Sequence, residues 1–176
     1  MPTAVEQDAL MIRLGPQPGD LGTVLRMHGE IYAGEYRFTE EFEAHVARGL
    51  AQFAAALGAA RENPVAPEPG WLWLAERRGE VVGTIALTDE GSDEAQLRWF
   101  LVAPDSRGGL GRRMLDTLLE HARARGFERV RLWTVEGLDA AASLYARAGF
   151  TCSERRPVHQ WGHDLVEAHW DLSLTR

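Results

Sequence analysis

Residues 97–115 read LRWFLVAPDSRGGLGRRML, and the fold turns on how this stretch is parsed. An apolar run over 97–102 breaks at Ala103-Pro104 into a polar turn. It then enters a segment in which Leu110, Met114, Leu115, Leu118, Leu119 and Ala122 recur at helical spacing. The join is therefore strand, glycine-rich turn, helix N-terminus. The first amides of a helix lack internal partners and carry partial positive charge, so such a join favours an anion. Gly108, Gly109 and Gly111 keep side chains out of its approach. Arg112 and Arg113 occupy the first helical turn, where acidic residues are normally favoured. That choice is unfavourable for an empty helix end and sensible for one that holds a diphosphate.

Outward from this segment, residues 11–14 form a short apolar strand candidate. Asp20 is placed to cap a helix with Leu21, Val24, Leu25 and Ile31 on its inner side. Thr39 caps a second helix with Phe42, Val46, Leu50 and Phe53 on one face. Residues 71–76 and 80–88 are joined by Arg77-Arg78-Gly79, a hairpin signal, and residues 95–102 make a third strand. The helix over 109–125 closes at Gly126. A strand over 129–135, a helix over 139–148 and strands over 150–154 and 168–174 follow. This order predicts an α/β (α+β) fold, a mixed and mostly antiparallel sheet of six to seven strands with helices on both faces. The expected organisation is a tail over 1–9 and one domain over 10–176.

Composition narrows the function. The chain has 176 residues and a formal charge of −7, which disfavours a general nucleic-acid binder. No apolar run approaches the roughly 20 residues of a spanning helix, so no membrane partner is expected. The first residues carry no signal pattern and Cys152 is the only cysteine, so the expected setting is cytoplasmic. All 19 basic residues are Arg, which leaves no lysine for a Schiff base or a Walker loop and assigns any cationic phosphate contact to a guanidinium. The dinucleotide GxGxxG pattern also fails.

A second signature stands at Ala141-Ala142-Ser143-Leu144-Tyr145-Ala146-Arg147-Ala148-Gly149-Phe150. Together with Val102-x-Pro104 and Arg107-Gly108-Gly109-Leu110-Gly111-Arg112, it resembles the GNAT superfamily of acyl-CoA N-acetyltransferases. The likeness covers roughly residues 10 to 174 and is strongest over 97–161. The stretch Pro157-Val158-His159-Gln160-Trp161-Gly162-His163-Asp164-Leu165-Val166 is similar to a subgroup whose members include fusions to MarR-type DNA-binding domains. Two departures mark this chain. Its loop, read from Arg107, is one residue shorter than the family's usual form, so either Ser106 takes the first position or a residue has been lost, and Leu138 stands where many relatives carry Asn.

The resemblance implies acetyl-CoA as co-substrate, no metal, and direct attack by a primary amine on the thioester. The acceptor would be a small molecule, a peptide or a protein amine. It implies that Phe100, Leu101 and Val102 pair with the pantetheine arm, and that an amide near Leu101 or Val102 polarises the thioester carbonyl. It also implies that Arg107, Gly108, Gly109, Leu110, Gly111 and Arg112 hold the diphosphate. Tyr145 would contact the coenzyme and act as the acid toward the leaving thiolate, or only pack there. For removal of the amine's proton the candidates are His28, Glu30, Glu35 and Glu94, each also readable as a surface group. His159, His163 and His169 lack a clear ligand set, and Trp71 and Trp73 read as core. Such folds often pair as homodimers through sheet edges. The alternative to catalysis is a non-catalytic acyl-CoA-binding sensor, or a partner-binding domain with an idle loop.

Overall fold

A computed structural model describes residues 9–63 and 65–175. Of the tail expected over 1–9, residues 1–8 lie outside the described residues. The elements are β1 (Met11–Gly15), α1 (Asp20–Tyr36), α2 (Glu40–Glu62), β2 (Gly70–Arg77), β3 (Glu80–Gly91), β4 (Glu94–Val102), α3 (Leu110–Ala124), β5 (Arg129–Val135), α4 (Asp139–Arg147), β6 (Thr151–Gln160) and β7 (His163–Ser173). The seven strands make one sheet in the order β1-β2-β3-β4-β5-β7-β6. Every neighbouring pair is antiparallel except β4 and β5.

Alternation along β2 distributes side chains to two cores. Trp71, Trp73 and Ala75 face α3, while Leu72 and Leu74 face α1 and α2. Burial on both faces makes β2 a continuous apolar run. The helical face expected on α3 is buried residue for residue, from Leu110 to Ala122. Trp71 and Trp73 are core residues with the His121 ring against both, at 4.5 and 5.1 Å.

Two expectations need correction. Asp20 is the first residue of α1, behind Gly19, and its carboxylate is engaged elsewhere. Both oxygens accept from Arg13, each at 2.8 Å, and one accepts from the Gln17 amide at 2.6 Å. The stretch between the two short strands expected at the C-terminal end is also no loop. It extends both strands into a long hairpin whose two-residue turn, Trp161-Gly162, has φ 55° and 81°. Positive φ at both turn positions matches the twist of the flanking strands. At the tip, Trp161 packs on Phe38 and Phe42 at 5.1 and 4.9 Å. The Thr39 amide donates to the Trp161 carbonyl at 3.2 Å.

The site depends on an irregularity in β4. Thr84 on β3 pairs with Leu101 and Ala86 with Arg98, so Ile85 alone faces both Trp99 and Phe100. This is a bulge, with Trp99 at φ 46°. The buried Thr84 hydroxyl donates to the Trp99 carbonyl at 2.7 Å. The bulged strand bends away from β5, and parallel pairing stops after Glu94, Ala95 and Gln96. Beyond that point the sheet is open. Replacing Thr84 by Val leaves the Trp99 carbonyl without its donor in a dry site, so unfolding free energy in urea should fall by about 1–3 kcal/mol.

Candidate active site

The opening between β4 and β5 is bounded by two cavities that share a wall. One, of about 520 Å³, is lined by Leu101, Val102, Arg107, Gly108, Gly109, Gly111 and Arg112 together with Glu35 and the inner side of α4. The other, of about 740 Å³, lies toward α1, α2 and the β6–β7 hairpin. Tyr32, Phe100, Thr134, Leu138 and Tyr145 line both. A molecule entering from either side meets the same five side chains.

On the first side, a short 3-10 turn over Pro104–Ser106 leads from β4 into the glycine turn. Ser106 is buried under it, so Arg107 is the first loop residue on the cavity wall. Gly108 and Gly109 have φ 120° and 98°, and a Cβ on either would project into open space. Glycine is required there by the backbone angle, and nothing in the protein fills the room it leaves. The Arg113 amide makes a helical bond to the Gly109 carbonyl at 3.1 Å. The amides of Leu110, Gly111 and Arg112 precede it and have no intrahelical carbonyl to reach. Leu110 departs from its expected place in one respect: its side chain is buried in the core, and only its backbone can serve the loop. Helical periodicity turns it inward with Met114.

Arg107 bonds to both carboxylate oxygens of Glu35 on α1, at 2.8 and 2.9 Å. These bonds raise the Arg107 pKa above its ordinary value. Glu35, a candidate base, is thus an anion held at the mouth of the loop. Arg112 is exposed and pairs with Asp116 at 3.6 Å.

Tyr145 lies at the junction, 5% exposed, with its ring 6.2 Å from Phe100 and 5.9 Å from Phe150. Burial, and then the neighbouring Tyr32, push its phenol well above the ordinary value of 10. Tyr32 is itself pushed up to about 12, by burial first and then by Tyr36 and Glu35. Both phenols keep their protons at neutral pH. Tyr32 is not among the site residues expected from the sequence, although it opens the Tyr32–Phe38 stretch on which acceptor choice was expected to depend; it stands on α1 four residues after His28.

His28 lines the larger cavity and is 4% exposed. Its Nδ1 lies 2.8 Å from the Val24 carbonyl, and burial lowers its pKa to about 4. At neutral pH it is uncharged, with Nδ1 donating and Nε2 left as an acceptor. Glu30 pairs with Arg26 on the outer face of α1, and Glu94 with Arg129 and Arg131 where β4 and β5 still pair; neither reaches a cavity. Among the described residues no group of three or more His, Cys, Asp or Glu side chains is gathered as for a metal, and no helix is long and apolar enough to cross a membrane. His163 donates from Nε2 to the Arg37 carbonyl, 2.8 Å away. Cys152 is free.

Strand, glycine turn and helix, beside a sheet opened by a bulge, agree with the family model that matches residues 30–150, described as the acetyltransferase (GNAT) family. The chain belongs to that family. It is 34% identical over 136 residues to the camello protein of Xenopus tropicalis, covering 73% of this chain and 61% of that one. It is 37% identical over 91 residues to the mycothiol acetyltransferase of Thermobispora bispora, covering 48% of this chain and 31% of that protein. The chain thus spans under two thirds of the length of these relatives. Among solved structures, yncA of Salmonella typhimurium, described with its cofactor acetyl-CoA, superposes with a TM-score of 0.71 at 20% identity, over 95% of each chain.

Two outcomes follow. Replacing Glu35 by Gln removes the carboxylate that engages Arg107, so, if the glycine loop holds the diphosphate, coenzyme A binds several-fold more tightly in calorimetry at low salt, with the gain shrinking as salt rises. The depressed His28 pKa means that the unfolded chain binds a proton that the folded chain refuses. Stability from this group is full above about 6.5 and is lost as pH falls from there to about 4. The His28→Leu variant should therefore show a flatter acid limb in stability between those values.

Proposed function

We propose that the chain transfers an acetyl group from acetyl-CoA to a primary amine, by direct attack within a ternary complex. The meeting of the two cavities at Tyr145 carries this reading. In it, the diphosphate rests on the amides of Leu110, Gly111 and Arg112, with Arg107, Gly108 and Gly109 around it. Arg107 exchanges Glu35 for phosphate oxygens, since a fork donor serves either anion. The pantetheine arm runs along the open edge of β4 beside Phe100, Leu101 and Val102. The antiparallel ladder alternates. The Ala103 amide reaches the Val82 carbonyl on β3 at 2.8 Å, so Leu101 also bonds toward β3 and the Val102 amide faces the opening. Of the two amides considered for the thioester carbonyl, that of Val102 is the one free to polarise it.

The amine enters through the larger cavity and attacks the carbonyl carbon. The C–S bond breaks as the C–N bond forms, the thiolate leaves toward Tyr145, and the proton that the nitrogen sheds as the amide forms passes through water to the thiolate. A coenzyme thiol has a pKa near 8.5, below that of the buried phenol. Tyr145 therefore stabilises the thiolate by donating a hydrogen bond more readily than by giving up its proton. The five shared residues include no carboxylate and no imidazole. A lysine-like ammonium costs about 4.6 kcal/mol to deprotonate at pH 7, and its proton is best lost to water in the cavity before attack.

The likeness of residues 157–166 to the MarR-fused subgroup is part of this proposal; those residues are the hairpin tip that walls the acceptor side. A cytoplasmic setting is proposed from the lone free Cys152. A homodimer belongs to the expectations of the fold class. The edge strand β6 carries Pro157 beside Glu154, Arg155 and Arg156, which oppose strand-to-strand pairing, so the reaction is written for one chain.

The deciding measurement is thiol release from acetyl-CoA with a panel of amines. Turnover is expected, and Tyr145→Phe should lower kcat by about 10- to 100-fold while coenzyme A still raises the melting temperature. Tight coenzyme binding without turnover on any amine would support a sensor instead. For a productive amine, kcat/KM should climb tenfold per pH unit toward the amine's own pKa. A plateau beginning near pH 6 to 7 would reveal a protein base and overturn the water-mediated step.

A further inference from the structure

The bulge that opens the sheet also disturbs alternation on β4. Arg98 and Trp99, consecutive in the chain, both project toward α2. A Cβ placed on the buried Gly49 of that helix would lie 2.6 Å from the Arg98 guanidinium and 3.2 Å from the Trp99 ring. The guanidinium carbon sits 4.5 Å from the centroid of the same indole. Arg98 is thus wedged between an aromatic face and the bare backbone of α2, on the wall of the larger cavity.

It is also unpaired. Among the described residues no hydrogen bond or ion pair engages the Arg98 side chain, and half-burial lowers its pKa. Elsewhere the protein satisfies a withdrawn guanidinium in full: Arg13 bonds to Asp20 and Glu76 at 2.7–2.8 Å. Leaving one half-buried and open on a cavity is costly unless a ligand completes it. Arg48 on α2 lines the same wall. His45, one turn earlier, has its pKa lowered by burial and then by Arg98 and Arg48, with Glu167 opposing.

The carboxylates on this cavity are Glu41, Glu90 and Glu167. Glu167 accepts from Arg156 at 2.8 Å and faces His169 at 2.9 Å. Glu90 accepts from the Thr88 hydroxyl at 2.7 Å and acts on Arg98 only through space. Glu41 is exposed at the start of α2. None bonds to Arg98.

We infer that Arg98 is the carboxylate-binding group of the acceptor site, and that the amine acetylated is a small molecule bearing its own carboxylate, as a free amino acid does. This rests on the reading of the larger cavity as the acceptor site. A planar carboxylate meets the exposed edge of a stacked guanidinium through paired hydrogen bonds. The aromatic walls, which include Tyr32, Phe42, Trp99 and Trp161, would take an apolar side chain. Binding energy from the carboxylate then holds the amino group toward the Tyr145 junction.

The test uses the whole chain, saturated with coenzyme A for binding and supplied with acetyl-CoA for transfer, L-amino acids with apolar side chains, and the matching carboxamides, which keep the amine and lose the charge. Binding is read by calorimetry and transfer by thiol release. At least one amino acid should bind about 10- to 100-fold more tightly than its carboxamide. Arg98→Gln should erase that preference by weakening the acid alone, through KM with little change in kcat, and coenzyme A should still raise its melting temperature. Arg98→Lys, which keeps a cation, should restore part of the preference. If carboxamides bind and react as well as their acids, or if Arg98→Gln weakens both alike, the inference fails while acetyl transfer stands. Carboxylate-dependent binding with no transfer would keep the subsite and sink the catalytic reading.

Discussion

The site depends on one extra residue in β4. Because Trp99 and Phe100 together oppose Ile85, the strand cannot keep register with a parallel neighbour, and its pairing with β5 ends at Gln96. A parallel sheet interior is an unlikely place for a hole, since open backbone edges buried there lack partners. The bulge supplies the bend, and the Thr84 hydroxyl occupies the carbonyl that the irregularity would otherwise strand. The same residue count sends Arg98 and Trp99 to the α2 side. Phe100 and Val102 lie on the other side, where a Cβ on Gly111 would stand 3.6 and 3.7 Å from them. One irregularity makes the gap and also sorts which side chains face each mouth.

The two mouths are electrostatically distinct. Toward α3, charge comes from amides fixed in the backbone and from Arg107, with Glu35 balancing it. No acidic residue stands in the first turn of α3. The helix forgoes the stabilisation such a residue would bring, about 0.3–1 kcal/mol, and relies on a face buried from Leu110 to Ala122. Core packing thus permits an end of the helix that is unfavourable when empty. Toward α2, the charges are side chains on separate elements, and both signs occur.

Much of the glycine-loop side was legible because it is local. The glycine turn, the apolar stripe of α3 and the helix bearing Tyr145 are each contained in a short run whose spacing is set by one element. What escaped the sequence was assembled over distance. The β6–β7 hairpin was hidden because β6 has seven exposed residues in ten and none buried, and alternation without hydrophobic contrast gives no strand signal. Arg107 finds Glu35 across 72 residues. Asp20 reads as a cap by residue type, but its carboxylate is taken by Arg13, a pairing that exists only when β1 and α1 are folded together. Arg98 reads as one polar position in an alternating strand, and only the bulge reveals that it shares a face with Trp99.

The family match covers residues 30–150, which hold all of the smaller cavity's lining and most of the larger one's. The whole glycine loop and Tyr145 lie inside it. Of the larger cavity, His28 precedes it, and His159, Gln160, Trp161 and Glu167 follow it. The hairpin thus adds to this wall from outside the shared segment, with Trp161 packed against Phe38 and Phe42. Helix α1 joins the two regimes. His28, Tyr32 and Glu35 fall four and then three residues apart on one helical face, and they line the larger cavity, the junction and the smaller cavity in that order. A helix moves as a rigid body over such a distance, so the position of Glu35 against Arg107 and that of His28 on the larger cavity are set together.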